Sequence, residues 1–181
     1  MSRVFQVIQG GAQSVASTAE SKAASPASGA PSAPTAKARA VSLLAQREYS
    51  RQALQEKLAA EGQSPEALAL ALDQLQARGW VDDSRVAETL VNRRAPKLGG
   101  LRLRQELQAK GVSPEVVATT MASLKASELE RARAIWLKKF GHTATDAATR
   151  NRQARFLATR GFASDVVRQV VTGWGTEDDA G

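Results

Sequence analysis

"LQEKLAAEGQSPEAL" (Leu54–Leu68) and "LRQELQAKGVSPEVV" (Leu103–Val117) are two versions of one phrase. A looser third version, "QARFLATRGFASDVV", runs from Gln153 to Val167. In the first two, a pair of leucines one helical turn apart marks a buried stripe, a glycine stops the helix, and Ser-Pro-Glu starts the next one. The glycine accepts the left-handed backbone that follows a last helical turn. Ser64 and Ser113 can accept bonds from free amides, and Pro65 and Pro114 lose no needed N–H at a first helical position. Glu66 and Glu115 complement the positive helix end. The three glycines, Gly62, Gly111 and Gly161, are 49 and 50 residues apart. A helix–turn–helix phrase said three times predicts a tandem helical array.

The flanks extend the phrase. Ser50 reads as an N-cap, with Tyr49 and Leu54 as a hydrophobic staple. Val41, Leu44 and Ala45 predict a helix face ahead of it. Leu68, Leu72 and Leu75 form the stripe after Ser64, and Gly79 ends it. "WVDDSRVAETLVNRR" (Trp80–Arg94) predicts a third helix capped by Asp82 or Asp83, with Val86, Ala87 and Leu90 inward. Val117, Met121 and Leu124 repeat the leucine stripe. Ser127 to Glu130 spells a capping box that opens a helix with Leu129, Ala132, Trp136 and Phe140 on one side. The third version keeps Leu157, Val167 and Val171, with Trp174 in the place of Leu75. Gln153 stands where a leucine is expected, which transfers that helix's anchoring to Phe156. The expected fold is all-α: seven or eight helices in three tandem three-helix, helix-turn-helix-like repeats (about 37–95, 96–141 and 142–175), stacked into an elongated, curved body.

Composition narrows the chemistry. The chain of 181 residues has no cysteine and one histidine, His142, so disulfides, thiolate metal sites and histidine-based catalysis are not expected. His142 follows Phe140-Gly141 and reads as a loop residue. Residues 1–36 are rich in Ala, Ser and Pro and read as a disordered arm. Gln6, Gln9, Gly10 and Gly11 interrupt any leader-like apolar core near the N-terminus. No apolar run reaches a membrane span. Residues 176–181 read as an acidic tail. Residues 37–175 hold 23 basic and 14 acidic residues, so a chain of net charge +7 has a still more basic body. Such a body attracts polyanions, nucleic acid among them.

Arg93, Arg94, Lys97, Arg102 and Arg104 put five cations within twelve residues, with no acid among them. Arg131, Arg133, Lys138 and Lys139 form a second group, and Arg150, Arg152, Arg155 and Arg160 a third. They lie on comparable helices of successive repeats and are candidate contacts to phosphate or to an acidic groove. Asp82 and Asp83 lack the convergent partner that acid–base work or magnesium would need, and read as helix caps. Trp80, Trp136 and Trp174 fall at apolar positions and read as core. Gly99-Gly100 lacks the strand–loop–helix setting of a phosphate loop.

"RGWVDDSRVAETLVNRR" (Arg78–Arg94), "GGLRLRQELQAKGVS" (Gly99–Ser113) and "RFLATRGF" (Arg155–Phe162), in this order and spacing, resemble the RecX regulatory family. "YSRQALQEKLAAEG" (Tyr49–Gly62) is similar to that family's first-repeat helix. The resemblance covers roughly Lys37–Trp174. It implies tandem three-helix repeats and a bacterial, cytoplasmic, non-enzymatic modulator of the RecA recombinase. Such a modulator needs no cofactor. It binds RecA filaments on DNA and inhibits strand exchange, ATP hydrolysis and cleavage of the SOS repressor. A monomer that meets DNA mainly within the filament is expected, and no membrane. The other reading is a general nucleic-acid-binding helical array, which would prefer bare DNA. Two positions depart from the family: Val86 replaces a usual aromatic residue, and "KLGG" (Lys97–Gly100) replaces a Gly-Tyr-Gly turn. Both shrink side chains in one neighbourhood.

Overall fold

A computed structural model describes residues 35–173. Most of the expected arm, Trp174 and the acidic tail lie outside the described residues. Thr35 and Ala36, expected in the arm, instead begin the fold: Thr35 caps the first helix through the Ala38 amide, and Ala36 is buried.

The described residues form nine helices and no strand: α1 (Ala36–Leu44), α2 (Arg51–Ala60), α3 (Pro65–Ala77), α4 (Asp83–Arg94), α5 (Gly100–Ala109), α6 (Pro114–Lys125), α7 (Glu128–Phe140), α8 (Ala147–Ala158) and α9 (Ser164–Thr172). They pack in threes. Leu43, Tyr49, Leu54, Leu58, Leu68, Leu72 and Leu75 close a first core within α1–α3. Val86, Ala87, Leu90, Leu103, Leu107 and Val117 close a second within α4–α6, with Leu98 against it. The two small departures, Val86 and Leu98, therefore meet in one core. Ala132, Trp136, Leu157, Phe162, Val167 and Val171 close a third within α7–α9.

This grouping shifts the expected repeat divisions by one helix. The divisions near 95 and 141 fall inside the second and third bundles; the actual ones precede α4 and α7. The stripe of α4 faces the leucines of α5, not those of α2. A cyclic three-helix pattern can be cut at three places, and glycine spacing is the same for all of them.

Local details differ as well. The buried face of α1 is Ala36, Ala40 and Leu43, while Val41 and Leu44 are half-buried and Ala45 is exposed. The capping box before α7 does not form: Ser127 has helical backbone, and its hydroxyl donates to the Leu124 carbonyl at 3.1 Å. Gln153 is buried because it is satisfied. Its Oε1 accepts from Trp136 Nε1 at 3.0 Å and its Nε2 donates to the His142 carbonyl at 3.1 Å. Phe156 packs at the core edge, edge-on to Phe140 at 5.1 Å.

The bundles are joined by a repeated set of polar bonds. Asp83, the first residue of α4, accepts from Arg51 N at the start of α2 (3.1 Å) and from Ser113 N at the start of α6 (2.8 Å). Asp82 is the cap proper, accepting from Ser84 N at 2.8 Å. Ser113 caps nothing through its side chain. At the next joint Glu128, the first residue of α7, accepts from Gly100 N at the start of α5 at 2.9 Å. In both places a carboxylate from the later bundle closes a helix N-terminus of the earlier one.

The repeated glycines sit at these joints. The Ser50 hydroxyl donates to the Lys110 carbonyl at 2.6 Å, and Gly111 lies against Ser50 and Gln52. At the second joint Gly99 N donates to the Arg160 carbonyl (2.9 Å) and Leu101 N to the Gly161 carbonyl (3.0 Å). A Cβ on Gly99 would overlap the Phe162 amide, and one on Gly161 would overlap the Arg102 backbone. Gly62 meets nothing within 4 Å.

Leu58 and Leu107 hold equivalent places at 0% exposure. Each changed to Ala is expected to lose about 2–5 kcal/mol in a denaturant titration. The glycines should separate. Gly62 and Gly161 share a positive φ of 85° and 81°. Gly62→Ala should cost about 1–2 kcal/mol from backbone alone. Gly161→Ala should add about 1–3 kcal/mol from overpacking against Arg102. Equal midpoints for the two variants would show that the joint is loose.

Candidate polyanion-binding surface

The candidate cations divide by what already holds them. Arg131, on α7, points inward. Its Nη1 donates to the carbonyls of Leu98 (2.8 Å) and Ala95 (3.1 Å), its Nη2 to that of Leu124 (3.4 Å), and its Nε lies 3.3 Å from the Ser127 hydroxyl. Burial pulls its pKa below the ordinary arginine value, opposed by the charge of Glu128. It stays charged and binds the α4–α5 loop to the α6–α7 turn. Expected as a surface contact, it is a structural residue. Arg85 does the same work one bundle earlier: it donates to the carbonyls of Gly79 (2.7 Å) and Trp80 (3.0 Å) and pairs with Glu48.

Arg94 pairs with Glu106 at 3.1 Å across α4 and α5. Arg160 is half-buried, stacks 3.6 Å over the Phe156 ring and donates to the Phe156 carbonyl at 2.9 Å. In the first bundle, Arg39 and Arg51 are tied to Glu61 and Asp73, each at 2.6 Å. The hydrogen bond from Arg39 holds the Glu61 carboxyl below its usual range.

The remaining cations are exposed: Arg93, Lys97, Arg102 and Arg104 on the second bundle, and Lys138, Lys139, Arg150, Arg152 and Arg155 on the third. Arg102 makes only a long contact to Gln105, at 3.5 Å. Lys138 and Lys139 fall in the last turn of α7, where cations suit the helix dipole. Arg152 and Arg155 are three apart on α8, hence neighbours on its surface. Arg104 is as exposed as Arg102, although it lies one turn from Leu107.

Four large apolar side chains are exposed among the described residues, Leu70, Trp80, Leu101 and Leu137, none of which sequence reasoning placed on the surface. Trp80, read as core, is 50% exposed, because the first core is closed by Val81 instead. Leu101 is 58% exposed beside Arg104 and Lys125. Its signal was available: it falls off the Leu103–Leu107 stripe. His142 is exposed, with only its carbonyl engaged. Among the described residues no helix is long and apolar enough to cross a membrane, and no group of three acids or histidines is arranged to hold a metal ion.

Three helix-turn-helix bundles locked through shared helix ends, with free cations on the second and third, define a tandem helical-repeat protein built to present surface. The chain belongs to the RecX family. Family models of the second and third RecX three-helix domains match residues 82–121 and 126–171, the same two bundles that the packing defines. Regulatory protein RecX of Leptothrix cholodnii is 45% identical over 135 residues, covering 75% of this chain and 86% of that one. Regulatory protein RecX of Chromobacterium violaceum is 43% identical over 143 residues, covering 79% and 92%. A crystal structure of RecX from Lactobacillus salivarius has the same fold, with a TM-score of 0.67 at 16% identity over 76% of this chain and 93% of that one.

Arg131→Ala should lower stability by about 1–3 kcal/mol, since it leaves buried carbonyls unanswered. Lys139→Ala should stay within about 0.5 kcal/mol of wild type. Urea titrations of both variants make the comparison, and equal stabilities would return Arg131 to the surface set.

Proposed function

We propose that this chain is a negative regulator of RecA that binds RecA–DNA filaments and inhibits their recombinase, ATPase and co-protease (SOS) activities in the bacterial cytoplasm. Family membership, at 45% identity across three quarters of the chain, carries the reading. The surface supports it physically. The bundles are held to one another by backbone and carboxylate bonds, so cations on two of them act from one scaffold. Several weak contacts at fixed spacing sum on a repeating polymer without a pocket on either side. Inhibition here is steric and electrostatic: a basic body seated across filament subunits biases the filament away from its active form. DNA is met mainly within the filament, through Lys138, Lys139, Arg152 and Arg155, with Arg93, Lys97 and Arg102 extending the contact.

The free cations also suit a general nucleic-acid binder, and the two readings separate in one experiment. RecA ATP hydrolysis on single-stranded DNA is titrated with wild type and with an Arg152→Glu/Arg155→Glu variant, after circular dichroism confirms folding. Half-inhibition by the variant is expected at about tenfold higher concentration at low salt, a difference of about 1.4 kcal/mol. The gap should narrow as salt rises. Co-sedimentation in parallel should show wild type favouring filaments over bare DNA. Equal affinity for both would select the nucleic-acid binder.

A further inference from the structure

The repeat builds a groove at each joint between bundles, and the two grooves carry different chemistry. The first is lined by Arg51, Gln76, Val81, Asp82, Asp83 and Ser113. The second is lined by Gly100, Leu101, Arg104, Met121, Lys125 and Glu128, with small alanines between them. The positions correspond. Arg51 and Gly100 each begin the second helix of a bundle, and Asp83 and Glu128 each begin the bundle that follows.

The first groove answers itself. Arg51 is bonded to Asp73 (2.6 Å) and Gln76 (2.7 Å), Asp83 spends both oxygens on backbone amides, and Asp82 caps α4. The second does not. Its floor is apolar: Leu101 at 58% exposure, Met121 half-buried, and Ala118, Ala122 and Ala163. Its rim holds Arg104 and Lys125, which make no ion pair or side-chain hydrogen bond among the described residues. The one carboxylate present, Glu128, is turned to the Gly100 amide. The open volume is about 370 Å³.

We infer that the groove at the second joint docks an acid-flanked apolar segment of a partner protein. A Leu- or Phe-sized side chain rests on Leu101 and Met121, and carboxylates on either side reach Arg104 and Lys125. A nucleic-acid strand would use the two cations but gain nothing from the floor, which has no aromatic ring for a base to stack on. Exposed leucine beside unpaired cations is complementary instead to a peptide that combines acid and apolar side chains. This rests on the proposed function in one respect: there the partner is the protein component of the filament, and the groove assigns protein to the second joint and DNA to the cations of the third bundle.

The test uses the full chain, wild type and Leu101→Asp. The substitution places an acid in the first turn of α5, where it suits the helix end. A second variant, Arg104→Glu/Lys125→Glu, reverses the rim, and circular dichroism checks that both are folded. Three probes are used: a labelled peptide with Leu-Phe between Asp and Glu residues, beside its Lys-flanked counterpart; RecA filaments on single-stranded DNA; and bare single-stranded DNA. Wild type should bind the acidic peptide in preference to the Lys-flanked one. Leu101→Asp should weaken peptide and filament binding about tenfold while bare-DNA binding stays within about twofold. Rim reversal should invert the peptide preference. Unchanged peptide binding by both variants overturns the inference. So does a parallel loss on bare DNA, which makes the groove a nucleic-acid contact, or a wild-type dimer that Leu101→Asp dissociates, which makes the occupant a second copy. Failure of wild type to bind filaments refutes the proposed function instead, and the peptide arm still judges the groove.

Discussion

A carboxylate at the start of one bundle, bonded to a helix N-terminus of the bundle before it, is the contact on which the rest of this structure depends. Asp83 does this for Arg51 while also holding Ser113 of its own bundle, and Glu128 does it for Gly100. Each three-helix bundle buries only a small core, too little to set its orientation against a neighbour by hydrophobic contact alone. Directional bonds to unpaired amides supply what the core lacks. They also explain the glycines. The joint brings the backbone after one helix against the backbone that starts another, and at Gly99 and Gly161 there is no room for a side chain.

The same economy sorts the charges. A chain this basic invites the reading that arginine clusters are binding patches. Yet Arg85 and Arg131 are consumed at equivalent places, each tying a loop of the earlier bundle to the end of its last helix. Arg94 holds Glu106, and Arg160 lies on Phe156. Of the clustered candidates, those left over sit on the second and third bundles, and this surface set is smaller than residue counting suggests.

The architecture was legible because helix punctuation is local. Gly, Ser-Pro-Glu and one-turn leucine pairs act within a few residues, and Leu54, Leu58, Leu103, Leu107 and Leu157 are all fully buried where the pattern put them. The family was legible from four matches in register. What escaped was tertiary. Whether α4 closes the first bundle or opens the second depends on which leucines it meets. Trp80 looked like core because its residue type favours burial, but Val81 had already filled the place. Arg131 looked like surface because arginine favours water, and no local pattern announces three carbonyls gathered from a loop and a separate helix end. Gln153 looked like a defect until its two partners, Trp136 and the His142 carbonyl, were seen to complete it.

The first and third bundles differ from the joints between them. Gly62 holds the place of Gly111 and Gly161, but a Cβ there would meet nothing within 4 Å among the described residues. The start of α8 carries an acid of its own: Asp146 accepts from Thr149 N at 2.8 Å, and that bond holds its carboxyl below the usual aspartate range. The joint is therefore vectorial, with acid always passing from the later unit to the earlier. An object with a head and a tail meets a polar polymer in two inequivalent orientations, and only one can bring each bundle's charges to matching sites along the strand. The asymmetry of the array is thus set by its joints before any partner is met.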